Sequence, residues 1–126
     1  MARSVSELVS AANESVPKIS PDEAQRLINK EDALLVDLRD PPELTPGGKL
    51  RDAVNVSRGM LEFRADRTTP YYDPAFLPDR PVILYCGSGG RAALAGKALQ
   101  EMGYKTVYNL GGFKDAVEKG FPTEPA

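Results

Sequence analysis

Two kinds of apolar pattern alternate along this chain. Short runs without a helical period are separated by segments whose apolar positions recur every three or four residues. The first short run, Ala33 to about Leu38 in "ALLVDLR", has four consecutive apolar residues, the mark of a strand covered on both faces as in a parallel sheet. "AVNVS" (Ala53 to Ser57) predicts a second, shorter strand, "VILYC" (Val82 to Cys86) the strongest, and "KTVYNL" (Lys105 to Leu110) the next. Between them, Ser4 to Ser15 reads as a helix with Val5, Leu8, Val9 and Ala12 on one face. "SPDEAQRLINK" has a helix start, with Ser20 as N-cap, Pro21 at the first position and Glu23 closing a capping box. A helix from about Gly90 to Met102 directs Leu94, Ala95, Ala98, Leu99 and Met102 at the core and stops at Gly103. "FKDAVEKG" forms a last helix ending at Gly120, and Met60 to Phe63 a helical turn. Asp40 to Asp52 reads as turns. Ala65 to Pro81, with prolines at 70, 74, 78 and 81, reads as an irregular loop held in place by Tyr71, Tyr72 and Phe76. Strand–helix alternation predicts an α/β fold: three layers, a central, mostly parallel sheet with helices on both faces.

At 126 residues the chain makes one compact domain, large enough to fold without disulfides. A formal net charge of -2 supplies no basic footprint, so no nucleic acid and no membrane surface is expected as partner. The start, "MARSVSELVSAANESV", lacks the continuous apolar core of a signal peptide, and the one cysteine has no internal disulfide partner. The expectation is a cytoplasmic protein. Histidine is absent altogether, which removes Ser-His-Asp and Cys-His catalysis and most zinc sites. No metal and no cofactor is expected.

The chemistry concentrates where the strongest strand ends. Cys86 is followed by Gly87, Ser88, Gly89 and Gly90, and then by Arg91 as the helix begins. Glycines let successive amides turn inward as a concave, partly positive nest, and the helix start adds unpaired N–H groups and its dipole. A thiol in that field, beside a guanidinium, favours its nucleophilic thiolate without a histidine. The plainer reading is a buried small hydrophobe in a glycine-rich packing turn. Two rival motifs fail. Gly87 to Ala92 fits G-x-G-x-x-A, but the next strand ends "VYNL", without the acidic ribose ligand of a dinucleotide site. "GGK" at Gly47 to Lys49 lacks the spacing and Ser/Thr of a P-loop.

From Ile19 to Phe121 the sequence resembles a single-domain rhodanese, a rhodanese-like sulfurtransferase. "ISPDEAQRLI" and "LLVDLRDPPEL" resemble the family's opening helix and its D-x-R…E strand and turn. "GKLRDAVNV" matches a G-H-I-x-G-A-x-N-I segment, with Lys49 for histidine and Asp52 for glycine. "VILYCGSGGRAALAGKALQEMGYKTVYNLGGFKDA" resembles the YC-x-x-G-x-R loop, its helix and a closing GG[FI] turn, with Val117 where an aromatic is usual. The resemblance implies a rhodanese-like domain over residues 17–126 behind an N-terminal helical extension, residues 1–16. It implies a catalytic Cys86 that takes a sulfane sulfur from a small donor such as thiosulfate and becomes a persulfide. The amides of Gly87, Ser88, Gly89, Gly90 and Arg91 would cradle that persulfide. With no second cysteine, the acceptor is an external thiol or cyanide. Related phosphatases use Cys-x5-Arg, whereas Cys86 and Arg91 are separated by four residues, and the phosphatase histidine is Tyr85 here.

The loop's "CGSG" is the start seen in mercaptopyruvate sulfurtransferases, so recognition of a donor's oxyanion falls to Arg91, Arg58 or Arg64. Arg58 is the candidate substrate contact from the second strand's exit. Asp37, Arg39 and Glu43 read as an ion-pair group pinning the turn after the first strand, with a charged rim over the active site as the alternative. Gly111 and Gly112 read as a tight backbone turn near the pocket. A non-catalytic binding or sulfur-carrier module on the same fold is the alternative function, and an oxidation sensor a third. Both a monomer and a homodimer are compatible with the sequence.

Overall fold

The computed structural model describes residues 2–126; Met1, first residue of the expected extension, lies outside them. The elements run α1 (Val5–Ser15), α2 (Pro21–Glu31), β1 (Leu34–Asp37), α3 (Pro41–Leu44), β2 (Lys49–Leu50) and β3 (Val54–Asn55). A 3-10 turn (Arg58–Met60), α4 (Leu61–Ala65), β4 (Val82–Cys86), α5 (Gly90–Glu101), β5 (Val107–Gly112), α6 (Phe113–Glu118) and β6 (Thr123–Glu124) complete the chain.

The four apolar runs pair as one parallel sheet in the order β3-β1-β4-β5. Every residue of β1 and β4 is buried, which is why neither run alternates. Leu34, Val36, Val82, Leu84 and Cys86 face a core shared with Leu61, Phe76, Ala92, Ala95 and Leu99. Leu35, Ile83 and Tyr85 face the opposite core, with Ala24, Ala116 and Phe121. The central parallel sheet flanked by helices expected from the sequence is therefore the architecture found.

The departures are local. Asp40 to Asp52 is more than turns: it holds α3 and β2, and β2 pairs antiparallel with β6 in a separate two-stranded sheet. Two-residue strands carry no period to read. At Ser20 half of the capping box forms: Ser20 Oγ accepts the Glu23 N–H at 3.2 Å, while the Glu23 carboxylate accepts from the Ser20 hydroxyl instead of the backbone. The α1 face is only partly covered, Val5 and Leu8 staying 68% and 41% exposed while Ala12 and Val16 are buried. Gly96 explains how α1 docks. A Cβ there would lie 2.7 Å from Val16 Cγ1, so the missing side chain lets the end of α1 press onto α5. As a result α5 is covered by the sheet and by α1, and its buried residues are Ala92, Ala93, Ala95, Gly96 and Leu99. Leu94 and Ala98 are half-buried instead of core, whereas Met102, half-buried too, packs against the core as expected.

The segment after α1 continues along the sheet edge, where Ile19 N–H donates to Asn109 O and Asn109 N–H to Pro17 O. The irregular stretch before β4 is pinned by buried Phe76, whose carbonyl accepts from Tyr72 Oη at 2.6 Å. Among the described residues no helix is long and apolar enough to cross a membrane.

Candidate active site

β4 carries Cys86 to the carboxyl edge of the sheet, and the chain turns at once into α5. The turn needs Gly89, whose φ of +101° is open to glycine and strained for other residues. In that conformation the Gly89 N–H donates to Cys86 Sγ at 3.0 Å. The N–H groups of Gly90, Arg91 and Ala92, the first turn of α5, have no intrahelical acceptor, and the ladder begins with Ala93 N–H to Gly89 O. Gly87 and Ser88 are exposed at the rim.

β5 shapes the other wall. Its pairing with β4 jumps from Leu84↔Asn109 to Tyr85↔Gly111, so Leu110 is bulged out and Gly111 and Gly112 come up beside the loop. The approach is close: a Cβ on Gly112 would lie 2.5 Å from Gly87 O. Asn109 ties bulge and loop together. Its Nδ2 donates to Gly89 O at 3.1 Å and its Oδ1 accepts the Gly111 N–H at 2.8 Å. Sequence reasoning missed Asn109. The available signal was an asparagine inside an otherwise apolar strand, where that residue is depleted.

The sulfur is not open. Cys86 has 0% relative exposure, whereas the sequence reading expects it accessible to donors. Its strand register points it into the α5 core, and Arg91 lies at the loop's rim beside Gly87. The guanidinium lies over Gly87, 3.1 Å from where a Cβ would stand, and its Nη1 and Nη2 donate to Glu43 Oε2 and Oε1 at 2.8 Å each. Those bonds, then the one from Asp40 N–H, hold the Glu43 carboxyl down to about 2; in turn Glu43 raises Arg91.

Asp37 and Arg39 pin the turn after β1 as expected; Glu43 joins them only through its backbone carbonyl, which accepts from Arg39 Nη1 at 3.3 Å, while its carboxylate goes to Arg91. Arg39 Nε and Nη2 donate to Asp37 at 2.9–3.2 Å, and its guanidinium lies 4.0 Å from the Phe113 ring centre. Tyr85 Oη completes the group by donating to Asp37 Oδ2 at 2.6 Å. Arg58 is engaged by Glu62 at 2.8 Å, and Arg64 reaches only the Tyr71 carbonyl, at 3.4 Å. A cleft of about 670 Å³ runs along the loop between α1, the start of α2 and α6, lined by Gly87–Gly90, Gly111, Gly112, Lys18 and Lys114. Among the described residues no three His, Cys, Asp or Glu side chains group as a metal site.

Cys86 thus ends a parallel strand just before a helix begins, with the Gly89 amide on its sulfur. The sequence model of the rhodanese-like domain matches residues 20–119, and the chain belongs to that family. A sulfurtransferase of Allochromatium vinosum is 36% identical over 89 residues, covering 71% of this chain and 75% of the relative. The homodimeric polysulfide-sulfur transferase of Wolinella succinogenes is 38% identical, with a TM-score of 0.74 over 94% of this chain and 85% of that one. A Rhodopseudomonas palustris protein of unknown function, described as a possible tyrosine phosphatase, is 35% identical, with a TM-score of 0.88 over 98% and 96% of the two chains. Fold and relatives together place the chain among proteins of the rhodanese-type sulfurtransferase family.

Proposed function

We propose that the protein transfers a sulfane sulfur through a persulfide on Cys86. The observation that carries this reading is the hydrogen bond from Gly89 N–H to Sγ at 3.0 Å, in a loop whose neighbouring helix-start amides have no intrahelical acceptor. In the first half-reaction the Cys86 thiolate attacks the outer sulfur of a donor such as thiosulfate. The Sγ–S bond forms, the donor's S–S bond breaks, and sulfite leaves with the electron pair. The charge then rests on the terminal sulfur, where the amides of Gly87 to Arg91 can receive it. In the second, cyanide or an external thiolate attacks that terminal sulfur and Cys86 leaves as thiolate. No second cysteine exists to resolve the persulfide within the chain. Polysulfide is a second donor to assay, given the relative from Wolinella succinogenes.

The four-residue spacing of Cys86 and Arg91 supports sulfur over phosphate, because a phosphoryl group needs a wider ring of donors for its equatorial oxygens. This weighs against carrying over the phosphatase description of the Rhodopseudomonas palustris protein. The complete burial of Cys86 favours a second reading, a binding or carrier module without turnover. Intact mass after thiosulfate treatment separates them. The expected result is a gain of one sulfur atom, absent in Cys86→Ser and discharged by cyanide. No gain, with a thiol that still alkylates, overturns the transferase reading.

A further inference from the structure

Asn109 is a polar residue in the middle of β5 and is buried, at 2% exposure. Its backbone N–H donates to Pro17 O at 2.9 Å, and its carbonyl accepts the Ile19 N–H at 3.1 Å. The side chain reaches the nucleophile loop. Oδ1 accepts the Gly111 N–H at 2.8 Å, and Nδ2 donates to Gly89 O at 3.1 Å. An asparagine offers a donor and an acceptor on one short planar group; an apolar residue offers neither.

Gly89 is a residue that needs such a tether. It sits at φ +101°, has no side chain to restrain it, and places its N–H 3.0 Å from Cys86 Sγ. Its carbonyl is taken twice, by Asn109 Nδ2 and by the Ala93 N–H at 3.0 Å, the first bond of α5. Ala93 ties Gly89 to its own helix. Asn109 ties it to the sheet, where Asn109 pairs with Leu84, two residues before Cys86. We propose that Asn109 is a positioning residue, which holds the Gly89 amide on the sulfur by fixing the carbonyl of the same glycine. Without that bond the glycine is free to rotate, and its N–H is no longer aimed at the reacting sulfur. The effect on sulfur transfer rests on the persulfide reading; the hold on the Gly89 amide does not.

Asn109→Val removes both side-chain bonds and keeps a residue that suits a strand; Asn109→Ala carries the test if the valine variant does not fold. In 1H–15N spectra the Gly89 amide resonance is expected to move upfield, the direction in which Cys86→Ala moves it. At saturating thiosulfate, sulfur loading of Cys86 should slow about tenfold, with the half-saturating concentration unchanged. Combined with Gly89→Ala, the Asn109 variant should load no more slowly than Gly89→Ala alone, because both act through one amide. Tyr104→Phe removes a buried bond of 2.7 Å to Ala65 O beyond the far end of α5 and is expected to leave both readouts unchanged. A Gly89 resonance that stays in place, wild-type loading in a folded Asn109 variant, an equal slowing in Tyr104→Phe, or full multiplication in the double variant overturns the assignment. A wild-type protein that gains no sulfur sinks the transferase reading instead, and the Gly89 resonance alone then decides whether Asn109 holds the amide.

Discussion

The Tyr85 hydroxyl donates to Asp37 and accepts the Leu50 N–H at 3.0 Å, linking β4, β1 and β2 directly beneath Cys86. Burial first, and then the bond to Asp37, raise its ionisation well above that of a free phenol, so it remains a donor across the working pH range. Tyr85→Phe strands the buried Leu50 amide and takes one donor from Asp37, which Arg39 still holds. The expected loss is about 1–3 kcal/mol in urea unfolding, with sulfur loading of Cys86 retained. Glu43 behaves differently because it is half wet. Its carboxyl lies near 4.5 when unperturbed and about 2 in the fold. The group binds fewer protons folded than unfolded between those values. Its contribution to stability is thus whole above the higher value and is lost as pH falls towards the lower. Solvent screening keeps it to about 1 kcal/mol or less. Glu43→Gln should flatten the stability profile in that window, read as melting temperature against pH. The pairing itself was not legible from sequence. Glu43 lies in α3 and Arg91 in the first turn of α5, and a chain written in one dimension gives each several candidate partners.

Two glycines show how backbone room fixes the elements. Gly96→Ala would place a methyl 2.7 and 2.9 Å from the Val16 methyls, wedging α1 away from α5. The expected cost is about 1–3 kcal/mol in chemical denaturation. Gly89→Ala would force a side chain into a positive φ and turn its amide away from Sγ. A similar loss of about 1–3 kcal/mol is expected, together with sulfur loading slowed about tenfold or more in a stopped-time mass assay. β1, β4 and the loop after Cys86 could be read directly, because runs buried on both faces and glycine clusters leave plain marks in sequence. α3, β2 and β6 could not, being too short to show a period. The depth of Cys86 was equally hidden: it follows from the register of β4 against its neighbours, which is not a local property.

Over the whole molecule, the sheet divides two cores, and α1 belongs to the one that contains Cys86, through Val16. Removing residues 1–16 strips Val16 from that core, takes away the buried Ala12 and bares the Gly96 surface of α5. The remaining chain is expected to lose on the order of 3 kcal/mol while keeping a single unfolding transition, measured by circular dichroism in urea. The 1–16 boundary would then mark a covering segment of the fold. The Gly111–Gly112 seam against the nucleophile loop has a consequence of another kind. With Gly87 O already pressed onto Gly112, there is no slack for an additional residue between Cys86 and Arg91. Anyone retuning this scaffold for bulkier tetrahedral groups has to rebuild the neighbouring strand before lengthening the loop, and a point insertion alone will jam.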